Sequence, residues 1–254
     1  MSLLWRNQLR VSLAADRLVL RANKARTSSV AVQSPPNDAE WRGAVAALPD
    51  VLASFRNHDV SVVLADQFVR YALLPWNAAL RREEQWLAFA RHRLSAVHGA
   101  TAAEWDLRLT ATAPNGPRLA CAVDRALLAE LGAAFAAGAA RLVCVQPFLV
   151  AAFNRIRRAI GASSCWLVIE EPGRLTLAFI QRGVWLSVRS RRADPGWRAM
   201  LPELIERESA FLALAEPCTR VIVCAQGEFD TEQYQPWNTR AVDYRELALA
   251  SEPA

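Results

Sequence analysis

A chain of 254 residues with 53% hydrophobic and 22% charged positions holds enough apolar content for one large core or two smaller ones, which excludes intrinsic disorder. The net charge of +5 comes from arginines scattered along the sequence, Lys24 being the only lysine, so a solvated surface explains it better than a nucleic-acid partner. The five cysteines, Cys121, Cys144, Cys165, Cys218 and Cys224, are odd in number and lack zinc spacing. Reduced thiols are expected, with Cys121, Cys144 and Cys224 buried in apolar strands.

Residues 9–33 predict three strands, LRVSLAA, RLVLRA and SSVAVQS, ended by Ser34-Pro35-Pro36-Asn37. Asp38 then caps a helix over Glu40–Phe55, and the nearly all-apolar Val60–Leu64 reads as a strand buried on both faces. Phe68–Leu74 is a strand closed by Pro75-Trp76, Arg82–Val97 an amphipathic helix, and Trp105–Leu109 with Arg118–Val123 a strand pair. Asp124 caps an Ala-rich helix, Arg125–Ala137, before a further buried strand at Arg141–Val145 and a helix over Gln146–Ile160. Cys165–Arg192 forms an antiparallel meander with turns at EEPG and QRG. Trp197–Leu214 follows as a helix with Met200, Leu204 and Phe211 near its inner face, then Arg220–Ala225 as a buried strand. Beyond Gln226 a polar loop or edge strand leads to a loose tail from about Ala248.

No stretch reads as membrane-spanning. The most apolar window, Ala126–Ala140, contains Glu130 and falls short of about 20 residues. The opening MSLLWRNQLRVSL has no long apolar segment and no small-residue cleavage site, so a cytoplasmic location is expected.

The sequence echoes itself. Asp16-Arg17-Leu18-Val19-Leu20 falls on Gly173-Arg174-Leu175-Thr176-Leu177, and Arg141–Gln146 resembles Arg220–Gln226. Two related halves of mixed strands and helices follow, an α/β or α+β protein.

Catalytic equipment is absent from the motifs. There is no GxxxxGK[ST], no GxGxxG after a strand and no GxSxG. His58, His92 and His98 lack the i, i+4 spacing of a helical metal site, so no catalytic residue and no metal ligand is assigned. Glu170 and Glu171 are adjacent on a strand and point to opposite faces, which suits a polar turn better than an acid/base dyad. Phe68, Arg70, Tyr71 and Trp76 cluster around one strand and its exit; they read as core, or as an exposed groove for a peptide.

The order of these elements, with FVRYALLPW, the Glu83–Val97 helix, EWDLRL, PRLACAVDRALLAEL and GAARLVCVQPFLVAAFN inserted between two strand-turn-strand starts, resembles the PilM, GspL cytoplasmic-domain and MshI family of type IV pilus and type II secretion assembly proteins. The resemblance implies an actin-like (ribonuclease H-like) duplicated fold with an inserted subdomain. Its first lobe would span 1–160 with the insertion at about 66–140, its reduced second lobe 161–247, and a tail 248–254. It also implies a degenerate nucleotide site at Asp16, Glu170, Glu171, Gly173 and Gly227: Pro172 removes an N–H, adjacent carboxylates repel phosphate, and only Gly227 remains of a Gly-Gly adenosine loop. Weak binding of ATP and Mg²⁺, or none, is the expectation. The implied function is a scaffold that binds a juxtamembrane peptide of a PilN-like inner-membrane partner through Phe68, Arg70, Tyr71 and Trp76, as a monomer or homodimer. The rival readings are an active actin-fold ATPase or sugar-kinase-like phosphotransferase, and an arginine-rich nucleic-acid binder.

Overall fold

The computed structural model describes residues 7–22, 26–36, 38–110, 115–138, 140–214, 216–225 and 227–243. Within them the elements run β1 (Asn7–Leu13), β2 (Arg17–Ala22), β3 (Arg26–Ala31), α1 (Arg42–Leu52), β4 (His58–Leu64), β5 (Val69–Leu74), α2 (Glu83–His98), β6 (Trp105–Leu109), β7 (Arg118–Asp124) and α3 (Arg125–Ala136). There follow β8 (Arg141–Pro147), α4 (Phe148–Ile160), β9 (Cys165–Glu171), β10 (Arg174–Gln181), β11 (Val184–Arg192), α5 (Trp197–Phe211), β12 (Arg220–Ala225) and β13 (Asn238–Asp243). The tail expected from Ala248, and Gln226, lie outside the described residues.

Two five-stranded sheets share one plan. The first has the order β3-β2-β1-β4-β8 and the second β11-β10-β9-β12-β13. In each, the opening three strands are antiparallel and the last two join in parallel. The parallel additions require crossovers; helices lie in those that lead to β4, β8 and β12, while the one to β13 holds, among the described residues, only a short 3₁₀ turn at Glu232–Tyr234. Even the turns match: Val32 N–H donates to Asp16 O at 2.9 Å, and Ala193 N–H donates to Gly173 O at 3.1 Å.

A third, antiparallel sheet of order β5-β7-β6 interrupts the first half. One of its faces packs on α2 through Leu74, Trp86, Ala90, Leu94 and Leu107. The other, carrying Val69, Leu119, Cys121 and Val123, joins the main core. α3, started by Asp124 whose carboxylate accepts the Ala126 N–H, packs against α1 beside the first sheet.

The main core runs through α4. Its buried Ala151, Ala152, Ile156 and Ile160 share a cluster with Leu9, Val11 and Val62 of the first sheet and with Cys165, Leu167, Ile169 and Ile222 of the second. A separate cluster lies on the other face of the second sheet, where Trp166, Val168, Leu177 and Phe179 meet Trp197, Leu201, Leu204 and Ile205 of α5. Among the described residues no helix is long and apolar enough to cross a membrane.

Several sequence expectations change. β8 is not a strand buried on both faces: it closes the edge of the first sheet, with Val143 45% exposed and Cys144 exposed at an irregularity in its pairing with β4. The echo of Arg141–Gln146 in Arg220–Gln226 links strands of different rank, since the counterpart of β12 is β4. In α5 the inner stripe is Trp197, Leu201, Leu204 and Ile205, which leaves Met200 and Phe211 outside. Helix α1 begins at Arg42, because Asp38 accepts the Ala39 N–H and pairs with Arg42 instead of capping a turn at Glu40.

Candidate functional site

Among the described residues the buried carboxylates, Asp66 and Glu171, lie where the two halves meet. Asp66 follows the apolar run of β4 in a short 3₁₀ turn and is fully buried. Its Oδ1 accepts the Tyr71 hydroxyl at 2.5 Å and the Leu149 N–H, at the start of α4, at 3.0 Å. Its Oδ2 is buried with no partner among the described residues. Burial therefore pushes the Asp66 carboxyl up to about 6, against the pull of Tyr71, the Leu149 N–H and the charge of Arg174. The Tyr71 hydroxyl is driven well above its usual range, by burial first and then by the charge of Asp66. From the second half, the buried Glu171 carboxylate accepts the backbone N–H of Asp66 through both oxygens, at 2.9 and 3.1 Å.

Glu170 points the other way, as adjacent strand positions require. Its carboxylate accepts the Trp197 indole N–H and Arg198, each at 3.0 Å, on the α5 side of the sheet. Asp16 is exposed and ion-paired with its neighbour Arg17 at 2.7 Å. Gly173 and Gly227 occupy turns with φ of +72° and +75°. A triphosphate with its metal does not fit this set: Glu171 is committed to the Asp66 N–H, Glu170 to α5, and Pro172 offers no donor.

The four aromatic and cationic positions of the insertion are divided between two faces. Tyr71 stands opposite Cys121 on the face turned to the main core, and Phe68 packs against that core. Arg70 stands opposite Ala122, donates to the Gln67 and Val69 carbonyls, and is lowered by burial and then by the charge of Arg174. Trp76 is 42% exposed and stacks on Trp86 at 5.9 Å, on the α2 side, where Arg118 lies against the same indole. They do not converge on one point.

A groove opens instead along the core-facing side of the inserted sheet. It encloses about 530 Å³ between β6 and β7, the β8–α4 corner and Trp185 of β11. Its walls are apolar, with Val123, Val145, Val150 and Phe153, whose ring lies 4.6 Å from that of Trp185. Asn154, Arg157 and the ion pair of Arg108 with Asp106, at 3.4 Å, add polar atoms, and the Thr110 hydroxyl is buried there with no partner among the described residues. The Cys121 thiol in its wall is pushed by burial to about 12, so it is inert as a nucleophile. Sequence reading missed both Asp66 and this groove. The clue to Asp66 was an acid set just after a nearly all-apolar strand; the groove's residues come from seven elements and share no local pattern.

No family model and no curated protein matches the sequence. Solved structures do match in shape. The PilM–PilN type IV pilus biogenesis complex aligns with a TM-score of 0.63 at 13% identity, covering 94% of this chain and 89% of that one. The fold is actin-like. The cytoplasmic domain of EpsL, an inner-membrane component of the type II secretion system of Vibrio cholerae, aligns at 0.62 with 12% identity over 97% of this chain and 94% of its own. A Bacteroides thetaiotaomicron protein with an actin-like ATPase fold and unknown function gives 0.56 at 13% identity, covering 90% and 84%. The duplicated sheets and the mixed α/β architecture are those of this actin-like fold.

Proposed function

We propose that this protein is a non-catalytic scaffold that captures a peptide of an inner-membrane, PilN-like partner during assembly of a type IV pilus or type II secretion machine. The carrying observation is the apolar groove beside the inserted sheet, with a Thr110 hydroxyl that has no partner among the described residues and a polar rim at Asn154, Arg157 and the Arg108–Asp106 pair. A short apolar segment laid over Val150, Phe153 and Trp185, with one hydrogen bond to Thr110, would satisfy what the groove leaves open. The likeness to a PilM–PilN complex supports the class of partner. Tyr71 serves this reading from behind the groove, by fixing the turn at Asp66, rather than as a contact.

The same reading makes the protein a pseudo-ATPase at the cytoplasmic face of the membrane, held there by its partner. Support comes from the hairpin carboxylates, which are engaged in protein contacts. Pull-down from a membrane extract of the source organism tests capture, comparing wild type with Asn154→Arg and Val150→Glu, which crowd and charge the groove. Loss of one membrane protein from both variants is expected; an unchanged set of captured proteins overturns the reading. Calorimetry with Mg-ATP tests the second half, and micromolar binding abolished by Glu171→Ala would restore the ATPase.

A further inference from the structure

A second concavity of about 530 Å³ lies on the opposite face of the second sheet from Trp185, between β11 and α5. Register sets Arg189 beside Leu177 and Arg191 beside Leu175, both leucines belonging to the cluster under α5. Arg207 and Glu208 reach the same space from α5, and Arg192 and Asp194 close its end. The floor is apolar, made of Leu177, Leu204 and Phe211, the last 75% exposed.

The charges there do not cancel. Arg189 is tied to Glu208 at 3.8 Å, while no ion pair is found for Arg191, Arg192 or Arg207 among the described residues. Strand alternation turns Arg192 toward the other face of the sheet, across from Arg174 on β10, so the groove's surplus charge rests on Arg191 and Arg207. A concave surface that combines surplus guanidinium groups with an exposed aromatic ring is complementary to a chain carrying carboxylates around an apolar side chain.

We propose that this groove binds an acidic peptide segment of a second protein, its carboxylates on Arg191 and Arg207 and one apolar side chain over Leu204 and Phe211. Nucleic acid suits it less: the apolar floor under Leu204 and Phe211 adds nothing to backbone binding, whereas a peptide can fill it with a side chain. A lipid surface suits it less again, since the arginines line a hollow instead of a plane. This inference is independent of the peptide groove under the inserted sheet and fails separately from it.

The probe is a short fluorescein-labelled peptide, Asp-Glu-Leu-Glu-Asp, titrated with the full chain and followed by fluorescence anisotropy at low salt. Saturable binding is expected, weakened about tenfold or more by Arg191→Glu and by Arg207→Glu, and equally by replacing the peptide's acids with their amides. Arg157→Glu, which removes the same charge from the rim of the other groove, should leave it unchanged. No saturable binding, equal loss with Arg157→Glu, or an oligothymidine or phosphatidylserine vesicles binding as tightly as the peptide would each overturn the proposal. Thermal melts of the variants, expected to match wild type, keep a folding defect from passing as a binding one.

Discussion

The two halves of the molecule follow one plan and use it differently. Aligning Asp16 with Gly173 by their matched turn contacts puts Leu13 on Glu170 and Ala14 on Glu171. The parallel ladders then place Val63 and Cys224 equally, beside Ser12 and Ile169. Counting three residues on from each sets Asp66 over Gly227. In one half these hairpin positions are Leu13 and Ala14 and the strand end is acidic; in the other they are Glu170 and Glu171 and the strand end is a glycine. The acid of one half thus meets the backbone of the other, Glu171 on the Asp66 N–H, and a position that repeats in topology becomes an asymmetric clasp between halves.

The largest expected effect asks whether the halves are separate at all. α4 shares one core with both sheets, whereas the α5 cluster belongs to the second half alone. Trp166, fully buried in that second cluster and 4.9 Å from the ring of Phe179, should cost about 3–5 kcal/mol when replaced by Ala. Because the main core bridges the sheets, denaturant unfolding followed by tryptophan fluorescence and by circular dichroism should remain a single coincident transition. A split transition with a first phase confined to the second half would break the comparison by showing two independent units.

The meander at Cys165–Arg192 and the hairpin at Leu9–Arg21 were legible because turn residues and β-branched runs are local signals. The resemblance in element order carried the actin-like plan. What escaped was decided by distance in sequence. β8 has the apolar composition of a central strand, yet β13 and β8 both take edge positions, and edge or centre depends on what pairs alongside, not on the strand's own residues. Met200 and Phe211 sit within helical spacing of Leu204, so periodicity alone did not distinguish their stripe from the inner one at Trp197, Leu201 and Ile205. Asp66 went unread because a buried acid is recognised by its partners, Tyr71, Leu149 and Glu171, and two of those lie 83 and 105 residues away.

The next effect is set by that acid. A carboxyl raised from 3.8 to about 6 binds its proton more tightly folded than unfolded, so it lowers stability as pH rises between those values. The penalty is fully present above about pH 6 and absent below about pH 4. Asp66→Asn keeps an acceptor for Tyr71 and Leu149 and removes the charge. It should therefore be more stable than wild type at pH 7, by at most about 3 kcal/mol, with the gap closing as pH falls to 4. Denaturant midpoints for both proteins across this range check it. An Asn variant less stable at pH 7 than at pH 4, relative to wild type, would mean that the buried charge is compensated by more than the contacts seen.

The smallest effect concerns the strand end on the other side of the comparison. Gly227 has φ of +75°, and a Cβ built there meets no heavy atom within 4 Å. Space is therefore free, and only backbone conformation opposes a side chain. Gly227→Ala should cost about 1–2 kcal/mol, the usual penalty of left-handed backbone for a residue with a Cβ. Gly227→Asp imports the residue of the first half and should cost less than Ala, since Asp tolerates this conformation through local hydrogen bonding. Equal losses for the two variants would leave the positive φ as the whole reason for the glycine. A larger loss for Asp would show instead that the second half excludes a carboxylate where the first half buries one, so that charge, and not only backbone shape, separates two otherwise equivalent strand ends.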